Sequence, residues 1–402
     1  MADIGIICEM NPMHKGHEYL LREARAQGAE RIVCAMSGNT VQRGSFAVAD
    51  KYARAEALVR SGADLVIELP FPWCSGSAEE FALGGVFVIK DFCDTLLFGS
   101  ECGNIERLKN AASVADSTEF RRKYKDALAD GSQAARAYYD LLLKSGAGEL
   151  SSNDLLGVEY MRAAKKVGAN ISFATVKRQG AAYDKETVSD GEYPSALAIR
   201  EMWKKGEFES TKKYLPDGTL EVIQRVRAAG QLTDMSCAEA AILAFFRLCE
   251  PRDMEGIAGA EGGIVNRFCE AAKASADLDE MFERVRTKRY TDAHLRRVML
   301  YCMTGVRKKD LRAMPLYTTL LGATDAGREL LSAARKKGSL EVVTKPADAN
   351  ARARQTVLGA KADALFTLAT EPKRPASAMI KARPYIQMSP KINDEAQDAQ
   401  DE

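Results

Sequence analysis

Histidine and tryptophan are scarce in this chain, with three and two copies in 402 residues, and neither sign of charge dominates: Lys+Arg 57 against Asp+Glu 56 leaves a net charge of +1. A balance so close to zero carries no whole-chain signature of a nucleic-acid or membrane-surface binder. No apolar run approaches the roughly 18 residues of a membrane span, and Met1-Ala2-Asp3-Ile4-Gly5 lacks the basic region and apolar core of a secretory signal, so a cytoplasmic protein with no membrane partner is expected. The nine cysteines are odd in number and dispersed, without a Cys-x-x-Cys pair, and read as small buried hydrophobes. What remains, 46% hydrophobic and 28% charged residues, is an ordinary globular composition long enough for two to three domains.

The first hundred residues alternate short β-branched runs with amphipathic stretches, the pattern of a parallel sheet with crossover helices. Strands are predicted at Ile4 to Cys8, Arg31 to Met36, Asp64 to Leu69 and Thr95 to Phe98, with a fifth at Ile171 to Lys177. In open parallel sheets ligands bind beyond the carboxyl ends of the strands, so the loops following them should converge on one site. The fold class expected is α/β: a Rossmann-like nucleotide-binding domain over residues 1–205, followed by a mainly helical domain over 206–370. The stretch from Gly206 to Leu340 reads as almost wholly helical, with a short strand at Leu340 to Thr344 and a helix at Asn350 to Leu368. Residues 371–402 form a Pro-bearing, acidic tail, expected to be disordered from about 389. The loop Arg178 to Tyr193 is long enough to act as a lid.

Two of the three histidines share one tetrapeptide, His14-Lys15-Gly16-His17, between the first strand and an amphipathic helix. That spacing projects both imidazoles from the first turn of a helix, whose unpaired N–H groups and positive dipole end favour anions. The arrangement suits a nucleoside triphosphate, with donors that bind best as charge builds at the α-phosphate. The alternative, in which His14 caps a turn and His17 packs in an interface, stays open on the motif alone. Downstream, Ser195-Ala196-Leu197-Ala198-Ile199-Arg200 places a hydroxyl at a helix start and a guanidinium five residues later, again able to hold phosphate. Together the pair resembles the two signatures of the nucleotidyltransferase superfamily.

Five segments carry a narrower resemblance: Glu9-Met10-Asn11-Pro12-Met13-His14-Lys15-Gly16-His17, Met36-Ser37-Gly38-Asn39-Thr40-Val41-Gln42-Arg43-Gly44, Ala63-Asp64-Leu65-Val66-Ile67-Glu68-Leu69-Pro70, Leu97-Phe98-Gly99-Ser100-Glu101 and Val176-Lys177-Arg178-Gln179-Gly180. From about residue 3 to 370 the chain resembles the bacterial tRNA(Met) cytidine acetate ligase family. The resemblance implies an ATP-dependent ligase that activates acetate as acetyl-adenylate and acetylates N4 of the wobble cytidine (C34) of elongator tRNA(Met), releasing AMP and pyrophosphate. It places ATP on Ile7, Cys8, Glu9, Met10, Asn11, Pro12, Met13, His14, Lys15, Gly16, His17, Glu18, Tyr19 and Leu20, and on Gly99, Asn153 and Arg178; the two helix-start motifs add Ser195 as a phosphate contact and His14, His17 and Arg200 as the catalytic residues. Mg²⁺ is expected with the ATP, although no carboxylate cluster identifies its ligands.

The tRNA requires a broad basic surface. Arg284 to Tyr290, Arg296-Arg297 and Arg307 to Lys309 concentrate positive charge beside a tyrosine able to stack on a base, which nominates Arg286, Lys288, Arg289, Arg296 and Arg297. Arg43 and Arg54, near the nucleotide loops, are further candidates for the anticodon, while Asp50-Lys51 reads as a solvated helix start. Asn393 to Glu402 holds five carboxylates and no Lys or Arg, so removing it from a net +1 leaves +6 on residues 1–392. The competing readings are a nucleotidyltransferase or adenylate-forming ligase acting on a small metabolite, and an RNA-binding protein without catalysis.

Overall fold

The structure, a computed structural model, describes residues 2–130, 132–178 and 194–388. Apart from Arg178, the expected lid and the acidic end from 389 lie outside the described residues. The strands are β1 (Ala2–Cys8), β2 (Ala29–Ser37), β3 (Leu65–Leu69), β4 (Thr95–Ser100), β5 (Ser172–Lys177), β6 (Tyr317–Thr324), β7 (Glu341–Val343) and β8 (Tyr385–Gln387). They form one sheet in the order β5-β4-β1-β2-β3-β6-β7, with β8 paired to β6. The first five strands run parallel, each expected from its β-branched run and each found.

Because helices cover both faces, the strands are apolar on both sides and sort their residues by a period of two. Ile4, Ile6, Ile32, Cys34 and Val66 join one core cluster, under α1 (Lys15–Ala26) and α2 (Lys51–Arg60). Ile7, Val33, Ala35, Leu65 and Ile67 face the other, under α3 (Ala78–Ile89), α4 (Ile105–Asp116) and α7 (Ser152–Val167), with α5 (Thr118–Ala129) and α6 (Ala134–Leu142) outside them. The nine cysteines are free thiols, five of them buried. Among the described residues no helix is long and apolar enough to cross a membrane.

The expectation of an almost wholly helical run from Gly206 to Leu340 is not met. β6 returns to the sheet antiparallel to β3, and Thr318 Oγ1 donates to the Glu68 carbonyl at 2.6 Å. An unpaired β3 would present a row of open N–H and C=O groups, and β6 covers them. Nor is residue 371 the start of a tail throughout: β8 pairs in parallel with β6 through Gly322↔Tyr385.

A buried charge cluster fastens these late elements to the early loops. Lys51 Nζ lies 2.8 Å from Glu68 and 3.3 Å from Asp363 of the helix Arg354–Leu368, and Asn39 Nδ2 donates to Asp363 at 2.8 Å. Burial works against the Lys51 charge, but Asp363 and Glu68 outweigh it and hold its pKa well above the ordinary value. The solvated helix start expected at Asp50-Lys51 is therefore a sealed ion cluster, with Asp50 capping α2 and paired to Arg374 at 2.9 Å.

Candidate active site

The strand order reverses between β1 and β4, and a crevice opens beyond the carboxyl ends of the strands there. It is a cavity of about 470 Å³, a volume typical of small-molecule sites. Of the expected ATP residues, Ile7, Cys8, Glu9, Met10, Asn11, His14, Gly16, His17, Tyr19, Leu20, Gly99, Asn153 and Arg178 line it, as does Arg200. Pro12, Met13, Lys15, Glu18 and Ser195 are not among its lining residues: Met13 is packed in the core, and Ser195 spends its hydroxyl capping α8 (Ala196–Lys204), accepting from Ala198 N–H at 3.1 Å. Of the Ser195 and Arg200 pair, Arg200 lines the cavity.

The two histidines are fixed by the helix they begin. His14 is the N-cap of α1, its Nδ1 accepting from Gly16 N–H at 3.1 Å, while His17 Nδ1 accepts from His14 N–H at 3.3 Å in a reciprocal capping box. The rings lie 3.9 Å apart, tilted by 35°. An Nδ1 that accepts puts the single proton of a neutral imidazole on Nε2, so each ring keeps an Nε2–H donor for a ligand. Burial is the main reason the histidines resist protonation. It pushes His17 down to about 3, aided by Arg178, and His14 well below its ordinary value, aided by His17, Arg178 and Arg200. His14 thus caps a helix and lines the pocket at once, so the two readings of the motif are compatible.

The charges around this pair favour a polyanion. Arg43, Arg178, Arg200 and Arg297 line the cavity, against Glu9 as the lining carboxylate. Glu9 accepts the Gln42 N–H at 2.7 Å; burial raises its pKa, and that hydrogen bond with Arg200, Arg54 and Arg43 offsets part of the rise. Arg200 also donates to the Asn11 carbonyl, tying α8 to the first loop, while Asn11 Oδ1 accepts from Val48 N–H at 2.7 Å. Across the crevice, Gly99 leaves room for Arg178: a Cβ there would sit 3.2 Å from Arg178 Cγ. Asn153, at the start of α7, donates to Glu101 at 2.6 Å, and Arg178 Nε lies 3.5 Å from the same carboxylate.

Arg54 does not face an anticodon. It is 2% exposed and donates to the carbonyls of Ala49, Glu9, Ser37 and Gly38, joining the loops after β1 and β2 from beneath. The basic segment is divided in a similar way. Arg296 Nε donates to the Arg43 carbonyl at 3.1 Å and Arg297 to the Gln42 carbonyl at 3.2 Å, so these two clamp the loop that holds Glu9. Gly44, at φ +73°, permits the clamp, since a Cβ there would lie 2.5 Å from the Arg297 backbone nitrogen. Arg286 is exposed and paired with Glu283 and Asp292, and Lys288 and Arg289 are exposed. Sequence reasoning missed the apolar wall of Phe98, Leu156, Tyr160 and Leu197, for which strand and helix periodicity is a signal shared with any core. It also missed the Gln42-to-Glu9 hydrogen bond, although both residues lie in segments that carried the resemblance.

Among the described residues no group of three His, Cys, Asp or Glu side chains is placed to hold a metal ion. The donor set among the described residues therefore does not amount to a protein site for the expected Mg²⁺.

A family model described as HIGH Nucleotidyl Transferase matches residues 1–379. A tRNA(Met) cytidine acetate ligase of Caldanaerobacter subterraneus subsp. tengcongensis is 34% identical over 364 residues, covering 86% of this chain and 89% of the relative. One from Thermotoga maritima is 35% identical over 359 residues, covering 84% and 85%. The crystal structure of Thermotoga maritima TmcAL in an apo form matches with a TM-score of 0.89 at 31% identity, over 97% of this chain and 100% of that one. The same protein bound with alpha-thio ATP matches with a TM-score of 0.86 at 30% identity, with the same coverage. With this fold, this histidine pair and these relatives, the chain belongs to the tRNA(Met) cytidine acetate ligase family of HIGH nucleotidyl transferases.

Proposed function

We propose that this protein uses ATP to activate acetate as acetyl-adenylate and transfers the acetyl group to N4 of the wobble cytidine (C34) of elongator tRNA(Met), in the cytoplasm. The observation that carries this reading is the pair of Nε2–H donors on His14 and His17 at a helix N-terminus, ringed by Arg43, Arg178, Arg200 and Arg297. Family membership supplies the substrates. An acetate oxygen attacks the α-phosphorus of ATP, the bond to the β-phosphate bridging oxygen breaks, and pyrophosphate leaves. His14, His17 and Arg200 stabilise the charge that builds on the phosphates, and because the donors are already fixed by the capping box they need little reorganisation. Mg²⁺ would arrive with the triphosphate and neutralise part of its charge.

In the second step N4 attacks the acetyl carbonyl carbon, the bond to the AMP oxygen breaks, and N4 loses a proton. Glu9 is the lining carboxylate, and burial raises its pKa, so we assign it as the acceptor of that proton. The helical part of residues 206–370 holds the RNA, with Arg286, Lys288 and Arg289 outward and Arg296 and Arg297 acting through the Gln42-Arg43 loop and Arg43.

Incubation with ATP, labelled acetate and bulk bacterial tRNA, followed by digestion, should yield labelled N4-acetylcytidine. Acetyl-CoA without ATP should yield none. Label confined to a small-molecule product would favour the metabolite ligase instead, and RNA binding without any acetate-dependent turnover would favour the non-catalytic protein.

A further inference from the structure

A second cavity, of about 1130 Å³, adjoins the nucleotide pocket. The two cavities share Ala78, Ala135, Leu155 and Arg297 in their walls, so they meet at Arg297. Helices α3 to α7 build one side, and the segment around Tyr290 to Arg297 builds the other.

Its ionisable lining is Arg121, Arg162, Lys165, Lys166, Arg289 and Arg297 against Glu79, Asp116 and Glu159. His294 adds no charge at neutral pH, because burial lowers it to about 4. The acidic groups are engaged on the helical wall: Asp116 with Arg162 at 3.0 Å and with Arg121 and Lys165 at 3.3 Å, Glu159 with Arg162 at 2.8 Å, and Glu79 with Lys166 at 3.6 Å. Six cations against three carboxylates leave a surplus of three positive charges, spread over two walls rather than gathered at a point. Aromatic rings lie between them. Phe120, Tyr124 and Tyr138 pack together at centroid distances of 5.4 to 6.3 Å, and Tyr290 stacks on His294 at 4.7 Å and 9°. The Arg289 guanidinium lies 5.5 Å from the Tyr290 ring centroid.

Distributed cations with interleaved rings are the chemistry of unpaired nucleotides: phosphates track the charge, and splayed bases stack on rings. A compact anion would need converging donors, and a duplex would present no base faces to the rings. We propose that this cavity receives the anticodon-loop nucleotides flanking the acetylated cytidine, with Tyr290 and His294 as a stacking platform and Arg297 marking the passage into the nucleotide pocket. The proposal rests on the RNA-acetylating function proposed above.

The test uses the full chain and two readouts, the KM for tRNA and acetate-dependent ATP–pyrophosphate exchange without tRNA. Lys165 and Lys166 are exposed, so Lys165→Glu with Lys166→Glu leaves the core intact. This pair should raise the tRNA KM at least about tenfold and flatten the log–log salt dependence of binding by about 1.4, from two lost contacts at about 0.7 each, with exchange unchanged. Tyr290→Ala should raise KM in the same way and Tyr290→Phe should restore it. Lys336→Glu with Lys337→Glu, exposed but not among the cavity's lining residues, should leave KM within about twofold, which separates local contact from general attraction. Unchanged KM in the Lys165/Lys166 pair would overturn the proposal, and so would loss of exchange in step with loss of tRNA binding. A parent protein that acetylates no RNA would instead overturn the proposed function.

Discussion

The nucleotide pocket and the basic region around Arg284 to Lys309 both carry positive charge, yet they are built in opposite ways. In the pocket every key group is held by a short local constraint: His14 and His17 by a capping box, Glu9 by Gln42 N–H, Arg200 by the Asn11 carbonyl. In the basic region Arg286 pairs with its own neighbours Glu283 and Asp292 at the surface, while Arg296 and Arg297 turn inward to brace the Gln42-Arg43 loop. Chemistry that tolerates little displacement is placed on rigid elements, whereas binding a flexible RNA relies on summed, adjustable contacts.

The largest effects should come from the rigid side. His14→Ala or His17→Ala should each lower acetate-dependent ATP–pyrophosphate exchange by about 10²–10³-fold while tRNA binding, measured on filters, stays within about twofold. Retained exchange would make the histidines structural caps and erase the contrast. Glu9→Gln should separate the two steps: exchange persists, while acetyl transfer to tRNA falls by about 10²-fold, the lower end for a general base. Equal loss of both would move Glu9 into phosphate organisation.

Gly44→Ala probes the join between the regions. The alanine must take φ +73° and meets the Arg297 backbone at 2.5 Å, so thermal or denaturant unfolding should show a loss of about 1–3 kcal/mol, with a raised tRNA KM. An unchanged stability would show that the loop and the helix Asp292–Thr304 do not depend on each other.

The smallest effect is in pH. Folded His17 titrates near 3 and folded His14 well below 6.5, while both titrate near 6.5 unfolded, so below 6.5 the unfolded chain binds more protons. The stability they contribute is complete above pH 6.5 and is lost as pH falls toward 3. ATP, by placing negative charge on both rings, should raise their pKa values. Calorimetry in buffers of different ionisation enthalpy should then detect proton uptake on ATP binding near pH 6, and no uptake would mean that the phosphates lie away from the histidines.

How much of this was legible in the sequence follows the same division. The parallel strands were readable because β-branched runs buried on both faces admit few other states, and His14-Lys15-Gly16-His17 was readable because rare residues sat at helix-start spacing. β6 was not, because Tyr317 to Thr324 lies amid helices and its partner β3 is some 250 residues away, a pairing no local pattern records. Charge was legible only as inventory. Arg54, Arg296 and Arg297 look alike in sequence to Lys288, yet three of them bond backbone carbonyls and one lies exposed. Burial, which decides between the two roles, depends on tertiary packing. Lys165 and Lys166, on the helical wall of the second cavity, drew no notice because they sit in a helix far from the basic run.

The most direct test of the account is acetate-dependent ATP–pyrophosphate exchange measured without tRNA, on the parent protein and on the Lys165→Glu/Lys166→Glu pair. Equal exchange in the two, with transfer to tRNA impaired only in the pair, is the predicted result. Exchange that requires tRNA, or that falls with the charge reversal, would contradict the separation of a self-sufficient nucleotide pocket from an RNA-holding cavity.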